Sequence, residues 1–251
     1  MKKRKVLTFG MVFLLVIFFL YQVFSIISIM FMNKGIINDK DSDFLGVKGN
    51  SAVNEEIVIR HGAADSSKLT FSCNVDWGED LIPDMLQIFR DNNIKITFFV
   101  SGRWAKNNPT LLKDMFLAGH EIQSHGYSHK LCTQVSVEVA KEEILKTEAI
   151  ILEVLGIKTT VFAPPSGDYD EITVELCRNL GYKIALWNAD TIDWREGSTA
   201  SVIKERILKK PLNGAIVLMH PKSETVKALP ELIQEIKGKN IEIVPLYSLP
   251  L

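Results

Sequence analysis

His120-Glu121-Ile122-Gln123 reads as a short strand, and the polar stretch Ser124-His125-Gly126-Tyr127-Ser128-His129 follows it directly. His125 and His129 are four residues apart, so on a helical turn, or on a tight loop that mimics one, their side chains share a face. Two neutral imidazoles so placed form half of a site for Zn²⁺ or a similar divalent ion. The alternative is an accidental spacing of two loop histidines, in a chain of 251 residues with only 5 His.

The same unit, a short apolar strand followed by polar residues, recurs along the chain. Predicted helices alternate with these strands, and this alternation predicts an α/β fold with a mostly parallel sheet and crossover helices. In a (β/α) barrel the loops after the strands build the active site. The predicted strands are Lys68–Asn74, Ile96–Val100, His120–Gln123, Thr159–Phe162, Lys183–Trp187, Ala215–Met219 and Glu242–Val244. The predicted helices are Ile82–Phe89, Pro109–Phe116, Ser136–Leu155, Asp170–Leu180, Ser201–Leu208 and Ser223–Gly238.

The composition excludes one class of function. The chain has 47% hydrophobic residues and a formal net charge of -1, and a nucleic-acid-binding protein would normally show a basic face. The length permits one large domain or two small ones. Three Cys, an odd number at wide spacings, predict no disulfide on which the fold depends, and Cys73 in an apolar run is expected to be buried.

The first segment predicts export. Residues 1–5 form a basic tip, and residues 6–32 contain no charge. A helix of that length crosses a hydrocarbon core about 30 Å thick, and the tip stays in the cytoplasm by the positive-inside rule. We therefore expect an uncleaved signal anchor, a linker or stalk at 33–66 with one short strand near Glu56–Arg60, and a catalytic domain at 67–251. The protein is then a single-pass protein of the cell membrane with its C-terminal domain on the extracytoplasmic side.

Five further side chains are candidates for the site because they follow predicted strands. Asp76 is the candidate third metal ligand because of the nearby His pair; taken alone, it would better suit a turn or a helix cap. His220 ends the apolar run Ala215–Met219 and is a candidate general acid. Asp190 is predicted to accept a hydrogen bond from its ring, although a turn residue is the alternative. Asp193-Trp194 is a candidate pocket wall.

These residues resemble the polysaccharide deacetylases, the NodB-homology domain of carbohydrate esterase family 4, from about Lys68 to the C-terminus. The single anchor makes the membrane-bound sporulation and cell-wall types the most similar. The stretches that carry the resemblance are Thr70-Phe71 through Asn74-Val75-Asp76-Trp77-Gly78, Ser124–His129, Phe162-Ala163-Pro164-Pro165-Ser166-Gly167, Asp190-Thr191-Ile192-Asp193-Trp194 and Leu218-Met219-His220.

The resemblance implies a distorted (β/α)₇ barrel, here preceded by one transmembrane helix, and N-deacetylation of amino sugars in peptidoglycan or a chitin-like glycan. It implies a metal, Zn²⁺ or another divalent ion such as Co²⁺, on Asp76, His125 and His129. It also implies that His220, oriented by Asp190, protonates the leaving amine. The substrate-binding residues that it implies are Trp194 at the acetyl pocket, Pro165, Tyr127 and Leu218.

The sequence departs from the family pattern at two positions. Asn74 stands where the family has its catalytic Asp, and Ala163 stands where the family has the Arg that pairs with that Asp. The two changes are consistent, because a buried Arg without its carboxylate is costly. If neither Glu79 nor Asp80 replaces the base, the loss costs about 10²–10⁴ in rate. A catalytically impaired glycan-binding pseudoenzyme is therefore the alternative function.

Overall fold

The computed structural model describes residues 57–251. The predicted basic tip and membrane anchor, and most of the predicted linker, lie outside the described residues. Within 57–251, no helix combines the length and the hydropathy that are needed to span a bilayer. The short strand expected near Glu56–Arg60 is present as Val58–Ile59, and it joins the sheet of the domain that follows.

The described chain forms nine strands and seven α-helices. The strands are β1 Val58–Ile59, β2 Lys68–Val75, β3 Thr97–Val100, β4 Glu121–Ser124, β5 Val161–Phe162, β6 Lys183–Ala185, β7 Ala189–Asp190, β8 Ile216–Met219 and β9 Glu242–Ile243. The helices are α1 Ile82–Asp91, α2 Gly102–Asn107, α3 Pro109–Leu117, α4 Val137–Leu155, α5 Glu171–Leu180, α6 Ala200–Leu208 and α7 Ser223–Gly238.

The sheet is parallel throughout, with the order β1-β6-β5-β4-β3-β2-β8-β7 and with β9 beside the start of β2. It curls into a half-barrel with crossover helices, which confirms the predicted (β/α) architecture. The sheet is not a regular seven-stranded barrel, because nine strands join it. Four of these strands have only two residues each, namely β1, β5, β7 and β9.

The two faces of β2 show how the sheet positions its polar residues. Leu69, Phe71, Cys73 and Val75 pack into the main apolar core with residues of the helices. Successive side chains of a strand point to opposite faces, so Thr70, Ser72 and Asn74 face the inside of the curl. The inner face also holds a smaller apolar cluster, which includes Phe99 and Ile216. Polar side chains at the inner ends of the strands are therefore held on a rigid support.

Helix α4 begins and ends where the sequence predicts. The Ser136 hydroxyl accepts a hydrogen bond from the Val139 N–H, as an N-cap should, and Gly156 ends the helix at a φ of 73°. Helix α2 was not predicted, because six residues are too few to show a helical period. It begins after Ser101, whose hydroxyl caps the Trp104 N–H at 3.3 Å. This short helix runs directly beside the candidate site.

His120 is a buried histidine outside the candidate site. Its Nδ1 accepts a hydrogen bond from the Ile96 N–H at 3.2 Å, so the ring is neutral there, and the rings of Phe89 and Phe98 contact it edge-on. Burial, and then the charge of Lys95, lower the pKa of His120 from 6.5 to about 4. The folded protein therefore resists protonation of a side chain that the unfolded chain protonates freely.

We expect stability to fall as the pH drops from 6.5 towards 4. In that range the unfolded state binds more protons at His120, so each decrease in pH favours unfolding, and the full loss is about 3 kcal/mol below pH 4. Urea unfolding at pH 7, 5.5 and 4.5 measures this loss. His120→Gln should reduce the slope of unfolding free energy against pH. An unchanged slope in that variant would show that His120 is not responsible.

Candidate active site at the carboxyl ends of the strands

The sequence-predicted residues lie at one end of the sheet. Asp76 follows β2, His125 follows β4, and His220 follows β8. In the order β4-β3-β2-β8-β7, β2 and β8 are neighbours and only β3 lies between β4 and β2. Asp190 ends β7, next to β8. The parallel direction of all these strands brings the polar loops to a common edge.

His125 and His129 lie close together, with their ring centroids 5.1 Å apart. His125 is buried, and its Nδ1 lies 2.8 Å from the carbonyl oxygen of Ala163. A carbonyl only accepts, so Nδ1 carries the hydrogen and Nε2 keeps its lone pair. Burial, and then the charges of His129 and His220, lower the pKa of His125 to about 3 against the opposing bond to Ala163. The ring is thus held neutral, as a metal ligand must be.

Backbone and side-chain bonds fix the loop that carries the two histidines. The N–H groups of Gly102 and Arg103, at the start of α2, donate to the carbonyls of Gly126 and Tyr127, each at 2.9 Å. On the other side, the buried carboxylate of Glu143 in α4 accepts from the Ser128 N–H at 2.6 Å and from the Ser128 hydroxyl at 2.7 Å. The loop is therefore clamped between two helices.

We expect Glu143→Gln to destabilise the protein by about 1–3 kcal/mol, because an amide replaces one of the two acceptor oxygens and leaves a Ser128 donor unpaired. Urea unfolding measures the change. Glu142→Gln is the matched control, since Glu142 is the exposed neighbour on the same helix. Equal effects of the two substitutions would contradict the clamp.

Asp76 does not join the two histidines in this structure. Its Oδ1 accepts from the Ser101 hydroxyl at 2.5 Å, and its Oδ2 accepts from Nη2 of Arg103 at 2.8 Å. Among residues 57–251, no group of three or more His, Cys, Asp or Glu side chains is placed to hold a metal ion. The histidine pair fits a divalent metal, whereas the carboxylate as placed does not complete the set. The three-ligand assignment stays a prediction.

The partner of His220 differs from the one predicted. Its Nδ1 lies 2.8 Å from Oδ1 of Asp193, and its backbone N–H donates to Oδ2 of the same carboxylate at 2.7 Å. Asp190 instead accepts from the Ile192 N–H at 2.7 Å, within its own turn. The predicted Asp190–His220 contact is therefore wrong, because Ile192, at a φ of 51°, turns the chain and brings Asp193 beneath the ring.

Asp193 is a buried carboxylate, and both of its oxygens accept hydrogen bonds. Burial raises its pKa, but the hydrogen bonds and charge of His220 and the hydroxyl of Thr225, at 2.7 Å, more than offset this effect, so the pKa lies below its usual value. The carboxylate is ionised at neutral pH. It holds the hydrogen of His220 on Nδ1 and leaves Nε2 as the nitrogen that exchanges protons at the site.

Trp77 lies in the candidate site, although the sequence alone assigned it no role. Its ring stacks on the His220 imidazole, with a centroid distance of 5.8 Å and an interplanar angle of 18°, and the Lys222 ammonium lies 4.4 Å from its centre. The predicted wall residue Trp194 is exposed, with the Arg195 guanidinium 5.1 Å from its ring centre. His220 is thus held by Asp193 below and by an aromatic ring at its face.

The remaining predicted substrate residues lie at different depths. Tyr127 is half-buried, with the Lys146 ammonium 3.7 Å from its ring centre. Pro165 and Leu218 are buried. Glu79 and Asp80, the alternative bases, are exposed. Within residues 57–251, no side-chain hydrogen bond or ion pair holds either of them towards His220, so neither is fixed as a base.

Asn74 occupies the position of the expected base and is 4% exposed. Its side-chain oxygen is buried and has no hydrogen-bond partner within the described residues. Leaving a buried acceptor unpaired costs about 1–3 kcal/mol. Ala163 contributes only its carbonyl, which holds His125. The Asp and the Arg that the family resemblance implies at positions 74 and 163 are absent, and an unpaired amide oxygen lies at the first of them.

The missed contacts share a cause. Three residues contact the predicted site residues from other elements of the fold, and no local spacing in the sequence indicates these contacts. They are Glu143, Ser101 and Arg103. One signal was available for Glu143. It lies on the buried face of α4 with Ala140, Ile144, Thr147 and Ile151, and a carboxylate at such a position must have donors nearby.

Comparison with known proteins places the chain in a family. Residues 63–185 match the family model described as polysaccharide deacetylase. The chain is 36% identical to the uncharacterized protein YlxY of Bacillus subtilis over 72% of its own length and 56% of that protein. It is 30% identical to a peptidoglycan-N-acetylglucosamine deacetylase of Bacillus cereus, over 73% of this chain and 69% of that protein. It therefore spans little more than half of the first relative.

Solved structures give the same result. A carbohydrate esterase family 4 pseudoenzyme from Bacillus anthracis is 31% identical, with a TM-score of 0.74 over 76% of this chain and 68% of that one. A mutant of that protein is described as having restored enzymatic activity. A peptidoglycan N-acetylglucosamine deacetylase is 26% identical, with a TM-score of 0.76 over 80% of this chain and 95% of that one. The chain belongs to the polysaccharide deacetylase family.

Proposed function

We propose that this protein removes N-acetyl groups from the amino sugars of a peptidoglycan-type cell-wall glycan. One observation carries the proposal. The ionised Asp193 carboxylate fixes Nδ1 of His220, so that Nε2 is available for proton transfer at the same end of the sheet as the two histidines. The names of the relatives, two of which are peptidoglycan deacetylases, support a glycan of this class.

The residues of the chain have separable tasks in this reaction. When the amide bond of the acetamido group breaks, the departing nitrogen needs a proton, and Nε2 of the protonated His220 is the group that donates it. Asp193 stabilises the imidazolium and fixes the ring orientation. The stacked Trp77 ring keeps water from one face of His220. General acid catalysis of this kind contributes about 10²–10⁴ in rate.

We further propose that the chain binds a divalent metal ion, Zn²⁺ or Co²⁺, starting from His125 and His129. The support is the neutral His125 ring with a free Nε2 and its neighbour at 5.1 Å between ring centroids. His125→Ala should lower the metal content of the purified protein severely. An unchanged metal content in that variant and in His129→Ala would show that the metal site is elsewhere.

A second candidate function is glycan binding without catalysis. Asn74 favours it, because an amide does not accept a proton at neutral pH, and its oxygen lies buried and unpaired where the base is expected. The similarity to a family 4 pseudoenzyme also favours it. In this alternative the fold is kept while the chemistry is lost.

Acetate release and glycan binding, measured on the same preparation, separate the two functions. The substrates are N-acetylated chitooligosaccharides and peptidoglycan at saturating Zn²⁺. Acetate release that is abolished by His220→Ala supports the deacetylase. Binding to the glycan without acetate release supports the pseudoenzyme. Neither binding nor release would overturn both.

We also propose that the chain is anchored in the cell membrane by residues 6–32, with the C-terminal domain on the extracytoplasmic side and the anchor uncleaved. The support is the basic tip followed by the uncharged apolar run. Protease added to intact protoplasts should digest the chain beyond residue 33. Full protection of the domain would contradict this topology.

A further inference from the structure

We infer that Arg103 competes with a divalent cation for the Asp76 carboxylate, so that the Arg103–Asp76 ion pair weakens metal binding. This inference rests on the metal binding proposed above. It follows from a disagreement in the structure: the two histidines are suited to a metal, yet the carboxylate expected to complete the set is already engaged.

Both carboxylate oxygens of Asp76 have a donor. Nη2 of Arg103 is 2.8 Å from Oδ2, and the hydroxyl of Ser101 is 2.5 Å from Oδ1. The Asp76 side chain is 13% exposed, so little of it remains open to another ligand. A cation that binds Asp76 must therefore share a carboxylate oxygen with one of these donors or displace it.

Hydrogen bonds fix the backbone around Arg103 beside the histidine loop. The backbone N–H of Arg103 donates to the Tyr127 carbonyl at 2.9 Å, which ties the start of α2 to the loop that carries His125 and His129. Ser101 both caps α2 and contacts Asp76. The backbone of Arg103 is thus fixed beside the histidine loop. Only the side chain would have to move if a metal ion displaced the guanidinium from Asp76.

The charges explain what the contact does. Within residues 57–251, Asp76 is the sole carboxylate with which Arg103 forms an ion pair. Without a metal, the guanidinium balances the carboxylate; with a metal bound to Asp76, two cations would face one carboxylate. The Arg103 side chain is 53% exposed, so solvent weakens the pair and the competition is modest rather than absolute.

The test measures Zn²⁺ affinity of the purified full chain, by competition with a chromophoric chelator, for wild type and Arg103→Met. We expect the variant to bind Zn²⁺ roughly fivefold more tightly, which corresponds to release of one partly exposed ion pair. Arg103→Lys keeps the charge but loses the planar fork, and it should fall between the two. Lys106→Met removes an exposed charge from the same helix and should leave the affinity unchanged.

A double-mutant cycle with Asp76→Asn separates competition from a general charge effect. If Arg103 acts through Asp76, Arg103→Met changes nothing in the Asp76→Asn background. The inference is overturned if Arg103→Met leaves wild-type affinity unchanged, or if its effect persists without the Asp76 carboxylate. The absence of Zn²⁺ binding in every variant would instead overturn the proposed metal site itself, and the inference with it.

Discussion

Replacing Asp193 by Asn is expected to lower acetate release by about 10²–10⁴-fold. The carboxylate accepts three hydrogen bonds, from the backbone and ring of His220 and from Thr225. An amide has one acceptor oxygen and one NH₂ group. The NH₂ group would face at least one of these three hydrogen-bond donors and cannot accept from it. His220 then loses the partner that fixes its hydrogen on Nδ1, and its ring turns or changes tautomer.

Asp190→Asn is the matched control for this prediction. It removes the same charge from the same loop, but Asp190 only accepts from the Ile192 N–H, and an amide oxygen can do the same. We expect its effect on the rate to be less than tenfold, which is about 1.4 kcal/mol at most. Nitrogen NMR of the His220 ring should show loss of the Nδ1 hydrogen in Asp193→Asn alone. If Asp190→Asn has the larger effect, the corrected assignment fails.

The confusion of Asp190 with Asp193 shows where sequence reasoning ends. Both carboxylates follow the same apolar strand, and spacing alone gives neither an advantage. The choice depends on Ile192, a β-branched residue in the left-handed region, where side chains of this kind are rare. The conformation there is imposed by the surrounding contacts, including the Ser198 hydroxyl on its carbonyl at 2.7 Å. No local pattern predicts such a turn.

The fold was predictable because its signals are local and repeated. Strand β8 is a continuous apolar run and β3 is nearly so, whereas β2 alternates apolar and polar residues; α4 carries a capping Ser136 and a terminal Gly156. The elements that escaped prediction, α2 and β7, are too short to show any period. Their place is set by tertiary contacts, such as the pairing of β7 with β8.

The candidate site divides in the same way. The proximity of His125 and His129 follows from four residues of spacing, and the structure has it. The pairs Arg103–Asp76 and Glu143–Ser128 join residues that are far apart in the chain. Such contacts depend on how the helices pack on the sheet. The sequence therefore indicates which residues lie together at the strand ends, but not which hydrogen-bond or ion-pair partner each of them has.

Restoring the missing base is expected to need two substitutions. Asn74→Asp places a carboxylate at a position that is 4% exposed. The nearby cation, Arg103, is committed to Asp76, and a buried carboxylate without a partner has a raised pKa and stays protonated. Asn74→Asp alone should therefore gain little activity. Ala163→Arg alone adds a buried charge without a partner and should destabilise the fold.

The double variant Asn74→Asp with Ala163→Arg should release acetate about 10²-fold faster than wild type, or more, since a positioned base contributes about 10²–10⁴. The double-mutant cycle, measured at saturating metal, gives the coupling between the two residues directly. Urea unfolding of all four proteins separates a catalytic effect from a loss of fold.

Two outcomes would change the interpretation. If wild type is already as fast as the double variant, another residue is the base, and Glu79 and Asp80 are the first to substitute. If all four proteins are folded and metal-bound yet inert, the deacetylase proposal falls and the glycan-binding function takes its place. A gain from Asn74→Asp alone would mean that Arg103 leaves Asp76 to serve the new carboxylate. The double variant Asn74→Asp with Arg103→Met would then lose that gain.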